Sequence, residues 1–128
     1  MNRIATTPEQ SKKLLGLGLN PETSDMFWLQ EPGDPEVHYL IVRDSDDDLE
    51  PDWKIPAWSL SKLLEILPDY LIKDGCGYWF ELDKTESSTI RYWSKPAGTY
   101  TVFLEENDQD YVACAFKVLC FLLENELI

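Results

Sequence analysis

The run Ile55-Pro56-Ala57-Trp58-Ser59-Leu60-Ser61-Lys62-Leu63-Leu64-Glu65-Ile66-Leu67-Pro68 specifies a helix too short to exist unless the rest of the chain holds it. Ser59 stands where a hydroxyl can accept from an unpaired N–H of the first turn. Trp58 then lies just outside the helix and Leu63 at its fourth position, the spacing of a hydrophobic staple. Leu60, Leu63, Leu64 and Leu67 recur at i, i+3, i+4, i+7 as one apolar stripe, and Pro68 pushes Leu67 out of helical geometry. A helix over 59–67 falls well under the roughly 12 to 15 residues that are marginal alone in water. Its stripe must pack on a larger element.

Residues 69 to 104 supply that element. The β-rich runs Asp69–Lys73 and Cys76–Asp83 are joined by Asp74-Gly75, the turn pair that tolerates positive φ at both central positions of a tight hairpin. Two further runs, Thr89–Trp93 and Thr99–Leu104, are separated by turn-rich segments at 84–88 and 94–98 and complete a four-stranded antiparallel meander. Alternation along it predicts a core face of Tyr78, Phe80, Leu82, Ile90, Tyr92, Tyr100, Val102 and Leu104. The other face carries Trp79, Glu81, Asp83, Arg91, Trp93, Thr101, Phe103 and Glu105, and its aromatics need a covering layer or a partner.

The flanks are helical or paired. Thr7, Pro8 and Gln10 form a capping box with proline at the first helical position, predicting a helix over 8–15. Asn20-Pro21 marks a turn or a second short helical start. Met26–Gln30 and His38–Arg43 are β-rich runs that pair as an N-terminal hairpin across the longish segment Glu31-Pro32-Gly33-Asp34-Pro35. Asp44 to Asp52 is an acidic loop. Its Asp44, Asp46 and Asp48 have the spacing of a calcium loop, but Leu49 and Ile55 stand where such a loop needs glycine and the closing glutamate. A last helix runs from Asp108 or Asp110 to Glu124, with Asn125 as a left-handed cap and Leu127 and Ile128 folding back. Lys117 is the only charge between Tyr111 and Leu123, so Val118 and Phe121 are apolar beyond what one packed stripe requires.

These elements predict an α+β fold in a single domain over 1–128: the meander and the hairpin form an antiparallel sheet against the C-terminal helix, with short helices near 8–15 and 59–67. With 24 Asp and Glu against 11 Lys and Arg, the formal net charge is −13, and the averaged field repels nucleic acid and anionic membranes. No apolar run reaches the roughly 18 to 20 residues of a membrane span, and the N-terminus lacks a basic stretch followed by an apolar one. The expected location is cytoplasmic. Cys76, Cys114 and Cys120 are odd in number and lack a C-x-x-C, so neither a disulfide framework nor a zinc site is expected.

Catalytic constellations are missing from the pattern. His38, the single histidine, lies in a β-rich run with no nucleophile motif beside it, and Gly75-Cys76-Gly77 lacks the lysine and helix of a phosphate loop. No catalytic residue, cofactor or metal is expected. The surplus apolar residues Trp79, Trp93, Phe103, Val118 and Phe121 form the candidate interaction surface, with a second copy in a homodimer or with another protein. The alternative is packing within the chain, with the N-terminal helix and residues 26–43 supplying the second layer.

The segment Ile55–Pro68, the C-terminal Phe-Leu-Leu-Glu-Asn-Glu-Leu-Ile at 121–128, and Asn20-Pro21-Glu22-Thr23-Ser24-Asp25-Met26 together resemble small uncharacterised proteins encoded in bacterial prophages and other mobile elements. The resemblance implies a context and no mechanism. The function expected from the residues is a small non-enzymatic interaction module. Two alternatives stand beside it: an acidic inhibitor that imitates DNA by its charge, and a small hydrolase working through carboxylates.

Overall fold

A computed structural model describes residues 3–44, 54–85 and 87–128. The expected acidic loop over 44–52, with its calcium-like spacing, lies outside the described residues apart from Asp44. The fold is α+β, with two antiparallel sheets and three α-helices among those residues.

Helix α1 (Pro8–Gly16) has the capping box its sequence predicts: the Gln10 N–H donates to Thr7 Oγ1 at 3.1 Å and the Thr7 N–H to Gln10 Oε1 at 3.0 Å. Asn20 Oδ1 then accepts from the Glu22 N–H and opens a single 3-10 turn at Pro21–Thr23. The hairpin follows as β1 (Met26–Glu31) and β2 (Asp34–Val42), paired from Met26↔Val42 to Gln30↔His38. Its loop is tighter than expected. Only Pro32 and Gly33 make the turn, and residues 35–37 are absorbed as an irregularity between the Glu31↔Asp34 and Gln30↔His38 pairs.

A strand that the sequence did not signal changes the layout. β3 (Lys54–Ala57) pairs antiparallel with β1, giving a separate three-stranded sheet in the order β2-β1-β3 rather than an extension of the meander. Four residues are too few to show a period, and Pro56 argues locally against a strand. It is tolerated because β3 is an edge strand, pairing among the described residues with β1 alone.

Trp58 links this sheet to α2 (Leu60–Ile66) and is fully buried. Its backbone N–H donates to Thr6 Oγ1 at 3.1 Å, its carbonyl accepts from the Thr6 N–H at 3.0 Å, and its indole N–H donates to Thr23 Oγ1 at 3.0 Å. Ser59 caps α2 by accepting from the Lys62 N–H at 3.1 Å. Asp25, at the foot of β1, accepts both the Ser59 N–H at 2.9 Å and the Ser59 hydroxyl. Staple and cap therefore lock α2 to both the N-terminal segment and the first sheet.

The meander forms the second sheet: β4 (Tyr70–Lys73), β5 (Cys76–Asp83), β6 (Ser88–Ser94) and β7 (Thr101–Asp108), in that spatial order. Asp74 and Gly75 turn between β4 and β5 with φ of 53° and 77°, as a two-residue hairpin demands. Helix α3 (Tyr111–Glu124), capped by Asp110, lies over β6 and β7 with α2 against it. Leu14 of α1 joins the same core, and Lys13 pairs with Glu124 at 3.7 Å. Covered on more than one side, α3 buries Val112, Cys114, Ala115, Val118, Leu119, Cys120 and Leu122. On the sheet, Ile90 and Tyr92 are fully enclosed, and the Tyr92 hydroxyl donates to the Pro68 carbonyl at 2.8 Å, tying β6 to the end of α2. No helix among the described residues is long and apolar enough to cross a membrane.

The end of α3 departs from expectation in one detail. Asn125 is not left-handed. The left-handed residue is Glu126 at φ 53°, and the Leu127 N–H bonds back to the Leu122 carbonyl at 2.8 Å while the Glu126 N–H reaches Leu123 at 3.2 Å. Helix α1 closes with the same pair of bonds and has Gly18 at the corresponding place. A side chain in this conformation costs energy that glycine avoids, partly offset by glycine's greater freedom when unfolded. Glu126→Gly is thus expected to raise stability by about 0.5 to 1 kcal/mol, read as a higher urea midpoint. A lower midpoint would show that the Glu126 side chain contributes more than its backbone costs.

Candidate functional site

The face of the four-stranded sheet turned away from α3 is built by register. Tyr70 lies opposite Trp79, and Trp79 opposite Trp93, across three adjacent strands. A β-bulge then intervenes: Tyr92 pairs with Leu104 but Trp93 with Val102, so Phe103 is left unopposed. One inserted residue reverses the alternation beyond it. Val102 and Tyr100 therefore join the outer face, correcting the two-residue period that placed them in the core. Phe103 turns inward, with its ring 5.2 Å from Tyr78 and 6.0 Å from Phe121 and the Lys73 ammonium 5.4 Å from its centre.

The five candidate surface residues consequently divide. Trp79 and Trp93 share the outer face, Phe103 and Phe121 pack on one another at the core margin, and Val118 is fully buried within α3. The face gains residues that sequence reasoning missed: Tyr70, Ile72, Tyr100 and Val102. Ile72 is 69% exposed, Trp79 54% and Tyr100 52%. For Tyr70 and Ile72 a signal existed, because a two-residue turn at Asp74-Gly75 fixes Tyr70 opposite Trp79 and hence Ile72 on the same side. For Tyr100 and Val102 there was none, since nothing in their composition marks a bulge.

Two ring contacts organise this stripe. Tyr70 and Trp79 meet at 4.6 Å with their planes 57° apart, and Trp93 stacks on Tyr100 at 5.5 Å and 27°. The first contact depends on Gly77, because a Cβ built there would fall 1.6 Å from the Tyr70 hydroxyl oxygen. Gly77→Ala is expected to swing the half-exposed Tyr70 ring off the sheet and away from Trp79. The expected cost is only about 0.5 to 1.5 kcal/mol, the worth of an aromatic pair. Loss of ring-to-ring nuclear Overhauser contacts between Tyr70 and Trp79 checks it, and their persistence would contradict this account of the glycine.

Beside the aromatics the same face is charged. Arg91 Nε donates to Glu105 at 2.8 Å, Nη1 donates to Glu81, and Asp83 lies 3.7 Å from Nη1. The pairs Glu81↔Arg91 and Arg91↔Glu105 are direct cross-strand neighbours, so register creates the cluster. Bonding to Glu105 and then to Glu81 raises the Arg91 pKa, so the guanidinium stays charged. Asp83 is held below the usual carboxylate range, first by the Thr85 hydroxyl and backbone N–H and only secondarily by Arg91. Asp83, Thr85, Ser87, Thr89, Arg91 and Asn107 line an open polar hollow of about 270 Å³. A hydrolytic general acid at neutral pH needs a raised pKa, the opposite of what Asp83 shows.

Other candidate groups lie apart from this face. His38 stands in β2 opposite Gln30. Cys114 and Cys120 are buried free thiols, and burial pushes Cys120 up to about 11, so it is not a thiolate at neutral pH. Among the described residues no three His, Cys, Asp or Glu side chains gather to hold a metal ion. A second hollow of about 250 Å³, between α2 and the meander, is lined mainly by Leu60, Leu64, Leu82, Ile90 and Tyr111, with Lys84 as its charged residue. No protein-family model, curated protein or solved structure matches the chain.

Proposed function

We propose that this protein is a non-enzymatic interaction module, acting in the cytoplasm of a bacterial host of a mobile element, that docks on a partner protein through the outer face of its four-stranded sheet. One observation carries the reading. The surplus apolar surface of α3 is covered within the chain, whereas Tyr70, Ile72, Trp79, Tyr100 and Val102 stay exposed and form, with the partly buried Trp93 between them, a contiguous aromatic and aliphatic stripe. The ring pairs within the stripe recover only part of what burial would give, and exposed apolar patches rimmed by polar groups mark interaction sites. The context comes from the sequence resemblance.

Photo-crosslinking in the host tests it. A photoreactive residue at Ile72 or Val102 is expected to yield one discrete adduct, and the same residue at Lys12, exposed on α1, is expected to yield none. Absence of an adduct from the sheet positions, or the same products from all three, rejects the reading.

A further inference from the structure

We infer that the outer face takes a basic, extended segment of its protein partner, with arginine or lysine side chains seated against the Tyr70 and Trp79 rings and beside Glu81 and Glu105; the inference rests on the docking role proposed above. Charge points to this occupant first. Glu81, Asp83 and Glu105 converge on the single guanidinium of Arg91, leaving this part of the face with more negative charge than positive. The chain as a whole carries −13, which attracts a basic segment and opposes both a nucleic acid and a second copy of itself.

Ring geometry points the same way. Aromatic faces carry negative quadrupole density and attract cations, with tryptophan the strongest of the three rings. The Tyr70 and Trp79 planes, 57° apart at 4.6 Å, make a tilted notch that offers more than one ring surface to a compact cation. A sugar stacks better on a flat, open ring. Along β5, Trp79 and Glu81 are two residues apart on one face, a repeat of roughly 6.5 to 7 Å. An extended partner repeats its own side chains at the same interval. Consecutive same-side cationic residues would therefore meet first the notch and then the carboxylate.

The test uses the intact protein and a short peptide of alternating arginine and serine, followed by nitrogen-15 NMR of the tryptophan indole groups at near-physiological salt. Shifts are expected at Trp79 and Trp93, with Trp58, buried in the core, unmoved. The same peptide with citrulline for arginine keeps the shape without the charge and is expected to bind about tenfold more weakly. Trp79→Ser should cost a similar factor, and so should Glu81→Gln combined with Glu105→Gln. Glu9→Gln, exposed on α1, should leave affinity unchanged.

Trp79→Ser also removes the ring contact with Tyr70, so the variant should stay folded with a modestly lower melting midpoint; if it unfolds instead, the paired glutamine variant decides alone. Equal affinity for the citrulline peptide overturns the inference. So do shifts scattered across the acidic surface with wild-type affinity in both face variants, which would signify general attraction to a −13 chain. Larger shifts at Trp79 and Trp93 from cellohexaose than from the peptide would make the stripe a sugar platform and overturn it too. A discrete crosslink in the host without peptide binding would sink this inference and spare the docking role; failure of both would remove both.

Discussion

Replacing Trp58 with alanine is expected to lower the free energy of unfolding by about 3 to 5 kcal/mol, and Leu63→Ala by about 2 to 5 kcal/mol. Both side chains are fully enclosed in the core cluster that joins α1, α2, α3 and the four-stranded sheet, so each truncation leaves a cavity that only partial collapse can fill. Trp58→Phe separates the contributions. It retains most of the apolar ring but loses the indole donation to Thr23, and is expected to cost about 1 kcal/mol for the hydrogen bond plus a smaller packing term. Urea midpoints at constant denaturant dependence provide the measurement. If both alanine variants kept the wild-type midpoint, the two-turn helix would not be what ties the sheets together. Because α2 is only seven residues long, the staple and the Asp25 contacts at its cap must hold it in place of its own propensity.

What could be read from the sequence was the chemistry that acts between near neighbours. The Thr7–Gln10 capping box, the Ser59 cap, the Asp74-Gly75 turn and the Asp110 start of α3 each depend on residues within a few positions, and each is where those residues place it. Pairings between distant segments left weaker traces. β3 joins β1 across about 30 residues and contains a proline, so its existence depends on a neighbouring edge that no local window contains. The bulge at Phe103 is fixed by how β7 fits β6 and α3 together. Thr, Val and Phe are all acceptable strand residues on either face, so the reversal carries no compositional signature. The candidate site was legible in its centre, Trp79 and Trp93, and misread at its margins, where a bulge and a helix covered on several sides decide which side chain meets water.

That boundary between core and surface gives the second large effect. Val118→Asp is expected to abolish folding at physiological temperature, whereas Val102→Asp is expected to change stability by less than about 1 kcal/mol. Alternation places Val102 on the core face and helical periodicity leaves Val118 surplus to the packed stripe, yet Val118 is fully enclosed and Val102 is 39% exposed. An aspartate at Val118 would have to be desolvated without a cation to pair with, or else be protonated at neutral pH. Either course costs several kcal/mol out of the roughly 5 to 15 that hold a domain of this kind together. At Val102 the carboxylate can turn to water, and the change falls to strand propensity and lost contact with its cross-strand neighbour Trp93. Far-ultraviolet circular dichroism with size exclusion reports folding, and thermal melting reports the difference. A folded Val118→Asp variant with the wild-type midpoint would mean that α3 keeps an open apolar side, and the docking surface would then have to include that helix as well as the sheet.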